Sequence, residues 1–135
     1  MTDADELVAR YLASWNETDP SRRRAAVAEV WTEDGSYVDP IASVAGLDAI
    51  DATIAAAQGM FPGHTFRLAG TVDAHHNVAR FTWELVPAVE PADVVEAAAA
   101  DQAAATVVGF DVAVISEDGR FRAVHGFLDK VPTAA

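Results

Sequence analysis

Residues 64–85, HTFRLAGTVDAHHNVARFTWEL, decide the fold, because the spacing of apolar side chains changes there. Phe66 and Leu68 alternate with Thr65 and Arg67. After a polar stretch from Asp73 to Asn77, Phe81, Trp83 and Leu85 alternate with Arg80, Thr82 and Glu84. A period of two is that of a half-buried strand, so the segment predicts a β-hairpin. Downstream, residues 106–115 and 121–131 are rich in valine and phenylalanine and flank Ser116-Glu117-Asp118-Gly119, which predicts a second hairpin. Upstream the period is 3.6. Leu7, Val8, Tyr11, Leu12 and Trp15 predict an amphipathic helix over residues 3–17, with Asp3, Asp5 and Glu6 at the positive end of its dipole. Asp19-Pro20 caps a second helix that runs to about Trp31. Glu33-Asp34-Gly35 predicts a turn, and Ser36 to Asp39 a short strand stopped by Pro40. Gly46 opens a third helix through Ile50 and Ile54 to Gln58, closed by Gly59 and Pro62-Gly63. Three helices followed by a four-stranded antiparallel meander predict an α+β domain with the helices on one sheet face.

Composition limits what such a domain can do. The 135 residues suit a single domain spanning the chain, and 29 of the apolar residues are alanine, so the larger apolar side chains fill one modest core. The net charge of −12 disfavours phosphate backbones and anionic membranes, and Arg22-Arg23-Arg24 is too short to offset it, so neither nucleic acid nor membrane is expected as a partner. There is no cysteine. The sequence MTDADELVAR lacks the apolar core of a leader, and no apolar run reaches the roughly 18 residues of a membrane span, so a cytoplasmic protein is expected. Between the hairpins, about residues 88–105, lies an acidic, alanine-rich insertion that reads as a short helix or a loop and carries no assigned chemistry. The last two strands are apolar on both faces, Phe110, Val112 and Val114 alternating with Asp111, Ala113 and Ile115. Helices cover only one face, so a homodimer through the other is expected.

Three polar groups stand where the pattern calls for apolar ones. Tyr11 lies on the buried stripe of the first helix and reads as a core tyrosine or a site hydroxyl. Asp39, before Pro40, reads as a turn former or a site carboxylate. Asp111 sits mid-strand in the run Val107 to Ile115, where a buried carboxylate is costly. Of the four histidines, His75 and His76 fall in the hairpin turn, His64 opens the hairpin, and His125 is in the last strand, where parity does not decide between the pocket and the dimer face. Compact metal-ligand spacings, glycine-rich phosphate loops and GxSxG are absent from the sequence, so neither a metal nor another cofactor is expected.

The run from Tyr11 through Trp15, Asn16 and Asp19, then Trp31 to Pro40, Gly46 to Ile50, Gly109 to Val112, Glu117 to Phe121 and Gly126 to Asp129 resembles the SnoaL-like branch of the nuclear-transport-factor-2-like superfamily. The resemblance implies a cone-shaped roll, a strongly curved antiparallel sheet wrapped on three helices around an apolar pocket, and a dimer. It includes ketosteroid isomerases, in which an aspartate base moves a proton while a tyrosine and a protonated aspartic acid stabilise a dienolate. Matched by motif, the base falls on Asp39, the tyrosine on Tyr11 and the carboxylic acid on Asp111. The tyrosine that often supports these donors from the third helix is Ile54 here. The same register assigns Trp15, Phe81, Trp83, Leu85, Val124, Gly126 and Leu128 to the substrate pocket. The implied function is a cofactor-independent isomerase or cyclase acting on an apolar, steroid- or polyketide-like carbonyl compound. The alternative is a ligand-binding module of the same fold without catalysis.

Overall fold

The computed structural model describes residues 3–88 and 105–132. The stretch read as an insertion therefore lies, apart from its ends, outside the described residues. Helix α1 spans Ala4–Asn16 and α2 Pro20–Val30; strands β1 and β2 span Trp31–Val38 and Ser43–Ala45; α3 spans Leu47–Met60. Strands β3 (His64–His75), β4 (Val78–Pro87), β5 (Val107–Ile115) and β6 (Phe121–Lys130) follow.

The helix starts are those the sequence encodes. Asp3 caps α1 by accepting from the Asp5 amide, and Asp19 caps α2 by accepting from the Arg22 amide at 2.9 Å, with Pro20 at the first helical position. The sheet has six strands in the order β2-β1-β6-β5-β4-β3. Its hairpins are antiparallel as expected, and the two additions lie on the far side. β1 runs parallel to β6, and the short β2 pairs antiparallel with β1. The expected turn at Glu33-Asp34-Gly35 lies inside β1 instead, where the pairing with β6 shifts register between Trp31 and Ser36. A second shift falls between Ala69 and Asp73 of β3, at Gly70, whose φ of 79° is open to glycine. Such irregularities bend strands. A Gly109 without a side chain lets the Trp83 ring lie flat against β5, since a Cβ there would stand 2.0 Å from a ring atom.

Between helices and sheet the core is aromatic: Tyr11, Trp31, Phe81 and Phe121 are all fully buried, and Tyr11 meets Phe81 and Phe121 edge-on at 5.6 and 5.3 Å. α3 is tied to the other helices by a buried ion pair, Arg23 to Asp51 at 2.8 Å, with Gln58 accepting from Arg23 and donating to the Trp15 and Glu17 carbonyls. On the outer sheet face Val108, Phe110, Val112 and Val114 are half-buried and Phe127 is 55% exposed. No helix among the described residues is long and apolar enough to cross a membrane.

Candidate functional site

Helix α1 carries Tyr11 and Trp15 one turn apart, so both face the sheet. Across from them β5 presents Asp111, in register with Phe81 of β4 and Gly126 of β6. The Tyr11 hydroxyl donates to Asp111 Oδ2 at 2.8 Å, joining residues 100 positions apart. The other oxygen, Oδ1, is buried and has no partner. It is 2.9 Å from the point where a Cβ on Gly126 would stand, and Asp39 Cβ is 3.3 Å from the same point. Gly126 thus leaves the gap across which the two aspartates approach each other.

Asp39 follows β1. Its Oδ1 accepts from the Ile41 and Ala42 amides at 2.8 and 2.7 Å, and its Oδ2 accepts from the Tyr37 hydroxyl at 2.6 Å. It is therefore a turn former as well as a site carboxylate; the two readings left open by the sequence coexist.

A cavity of about 370 Å³ opens beside this cluster. Six of the residues expected at the site reach its wall: Tyr11, Trp15, Asp39, Trp83, Leu85 and Leu128. Phe81 and Val124 instead pack in the core, while Asp111 and Gly126 lie behind the wall. The difference lies along the strands: Val107 of β5 and Leu128 of β6 reach the cavity, whereas Asp111 is buried and bonded to the Tyr11 hydroxyl. Tyr37, Phe61, Phe66, Ile41 and Met60 also line it, as do Thr53, Ala56 and Ala57 of α3, and none of these was singled out from the sequence. Tyr37 was legible, since it lies two residues before Asp39 in an extended segment and so shares its side. Ile54 is buried and faces away from the wall.

The electrostatics follow from burial. Asp111 is pushed from its ordinary 3.8 up to about 6, chiefly because its charge is desolvated; the hydrogen bond from Tyr11 and the polar influence of the Trp83 indole oppose the rise, and the charge on Asp39 adds to it. Among the described residues no cation pairs with Asp111, whose hydrogen-bond partner is the Tyr11 hydroxyl. Burial, and then the charge on Asp111, hold the Tyr11 and Tyr37 hydroxyls far above the usual tyrosine range.

The histidines lie elsewhere. His64 bridges the Pro62 carbonyl and the Thr106 hydroxyl at 3.1 and 3.0 Å, His75 and His76 sit at the β3–β4 turn, and His125 points out of the sheet opposite Val112, away from the cavity. Among the described residues no three His, Asp or Glu side chains cluster to hold a metal ion.

Residues 8–124 match the family model for the SnoaL-like domain. Among solved structures the chain is similar to the "putative isomerase of the SnoaL-like family" from Agrobacterium tumefaciens strain C58, at 38% identity and a TM-score of 0.80, covering 96% of this chain and 100% of that one. A "putative SnoaL-like polyketide cyclase" from Jannaschia sp. CCS1 shares the fold at 16% identity and a TM-score of 0.67, covering 92% of this chain and 83% of that one. So does an NTF2-like protein of unknown function from Cytophaga hutchinsonii, at 9% identity and a TM-score of 0.62, covering 96% and 92%. No curated protein matches.

Proposed function

The chain belongs to the SnoaL-like family, and from that premise we propose that it binds an apolar carbonyl compound in the cavity and moves a proton on it by acid/base chemistry, without metal or organic cofactor. The observation that carries this reading is the Tyr11–Asp111 hydrogen bond at the floor of an apolar cavity that also holds Asp39. In this scheme the Asp39 carboxylate removes a proton from the carbon next to the carbonyl. The Tyr11 hydroxyl donates to the oxygen as negative charge develops there. Asp111 lies behind Tyr11, so it acts through that residue rather than on the substrate. Ionised, it accepts the hydrogen bond of the Tyr11 hydroxyl; protonated, it donates to the Tyr11 oxygen and frees the phenolic proton for the substrate. Activity that depends on the protonated form falls as pH rises through about 6.

The test is deuterium incorporation next to the carbonyl of an apolar cyclic enone in heavy water, followed by NMR. Exchange above the buffer rate, abolished by Asp39→Asn, is expected. Exchange at the buffer rate, or exchange unchanged in the variant, rejects the catalytic reading.

One observation favours the second reading, a binding module without catalysis. Of the roughly four acceptor positions of a carboxylate, three on Asp39 are already taken by Tyr37 and two backbone amides. We also propose that the outer sheet face, apolar from Val108 to Val114 and at Phe127, receives a second copy of the chain.

A further inference from the structure

The side-chain groups around the cavity are unequal in a way that selects ligands. Their protons are committed: Tyr11 donates to Asp111, Tyr37 to Asp39, and Thr53 to the Ala49 carbonyl at 2.9 Å. The Trp15 indole N–H is buried and has no hydrogen-bond partner among the described residues. Among the described residues no lysine, arginine or histidine lines the wall. What the wall offers is negative: the Asp39 carboxylate, with Asp111 close behind it across Gly126.

Next to that charge stands a continuous arc of rings. Tyr37 meets Trp15 at 5.4 Å between centroids, Trp15 meets Phe66 at 5.4 Å, and Phe66 meets Trp83 at 5.2 Å. Aromatic faces attract cations electrostatically, most strongly where water is excluded. Ile41, Met60 and Val131 line the cavity and are 72%, 55% and 53% exposed, so an apolar body is accommodated toward its mouth. A net charge of −12 adds a field that draws cations and repels anions.

We propose that the cavity binds a ring-bearing organic cation, its ammonium held between Asp39 and the faces of Trp15 and Tyr37 and its apolar body packed on Phe66, Trp83 and Leu128. This rests on the reading of the cavity as the ligand site and not on catalysis there.

Three probes of one shape test it at neutral pH: 2-naphthylmethylamine, 2-naphthylmethanol and 2-naphthoate, titrated against the protein by calorimetry. The amine is expected to bind at least tenfold more tightly than the alcohol, and the naphthoate most weakly. In Asp39→Asn the ratio of amine to alcohol affinity is expected to fall toward one, whatever the alcohol's own affinity becomes, since the side chain also holds the Ile41–Ala42 turn. If the alcohol binds and the amine has no advantage, or if the advantage survives in Asp39→Asn, the cation proposal is overturned and the cavity remains a ligand site. If none of the three binds, both fall together.

Discussion

Asp111 shows what a single buried carboxyl does to a small protein. Because its pKa in the folded chain is about 6 against an ordinary 3.8, the folded state favours the uncharged form. That preference stabilises the fold fully below about pH 4 and is lost as pH rises through about 6, an effect on the order of 3 kcal/mol. In urea titrations between about pH 4 and 7 the wild type should lose stability over that window, and Asp111→Asn should show no such slope; an identical slope in the variant rejects the assignment. At Gly109 the expectation is steric. Gly109→Ala puts a methyl group where the Trp83 ring lies and should cost about 3 kcal/mol, with altered tryptophan emission from the displaced ring. The sequence marked Tyr11, Asp39 and Asp111 because each breaks an apolar pattern. It could not rank them by depth, since alternation tells which side of a strand a residue faces and not what packs over it. Hence Asp111, expected as a donor to the substrate, and Phe81, Val124 and Gly126, expected on the pocket wall, do not line the cavity.

At the scale of elements, periodicity was sufficient where one face is wet and the other dry. It located all three helices and both hairpins within a few residues. It failed on β1, whose Glu33-Asp34-Gly35 is turn chemistry in composition yet sits at the irregular part of the pairing with β6, where exposure of Glu33 and Asp34 costs nothing. It missed β2, three residues at the sheet edge and too short for any period to register. The docking of α3 rests on Arg23, which is 7% exposed and pairs with Asp51. Arg23→Ala would leave Asp51 half-desolvated and Gln58 short of a donor, a loss of about 3 kcal/mol. Hydrogen exchange should then quicken in α3 more than in α1; equal quickening would show that the pair does not hold α3 in particular. Because Thr53, Ala56 and Ala57 of α3 wall the cavity, the same variant should also weaken binding of the naphthyl alcohol.

For the whole molecule, the outer sheet face makes a prediction about assembly. Phe127→Asp places a charge in the proposed contact and should convert a dimer to a monomer in light scattering at micromolar concentration, with little change in the circular dichroism spectrum. A monomeric wild type would reject the contact. The strand order carries a further consequence, one of timing. β6 is the last element in chain order, yet it lies inside the sheet, between β1 and β5. A nascent chain therefore carries Trp31 and Tyr37 on a strand whose principal partner is not synthesised until some 90 residues later. The first strand must wait, shielded only by its helices and β2, until Phe121 to Lys130 emerge. Closing so long a loop makes folding slow and leaves the early segments open to aggregation on the ribosome. A chain ending before Phe121 should accordingly remain unfolded by circular dichroism, and native structure should appear only after β6 has cleared the exit tunnel.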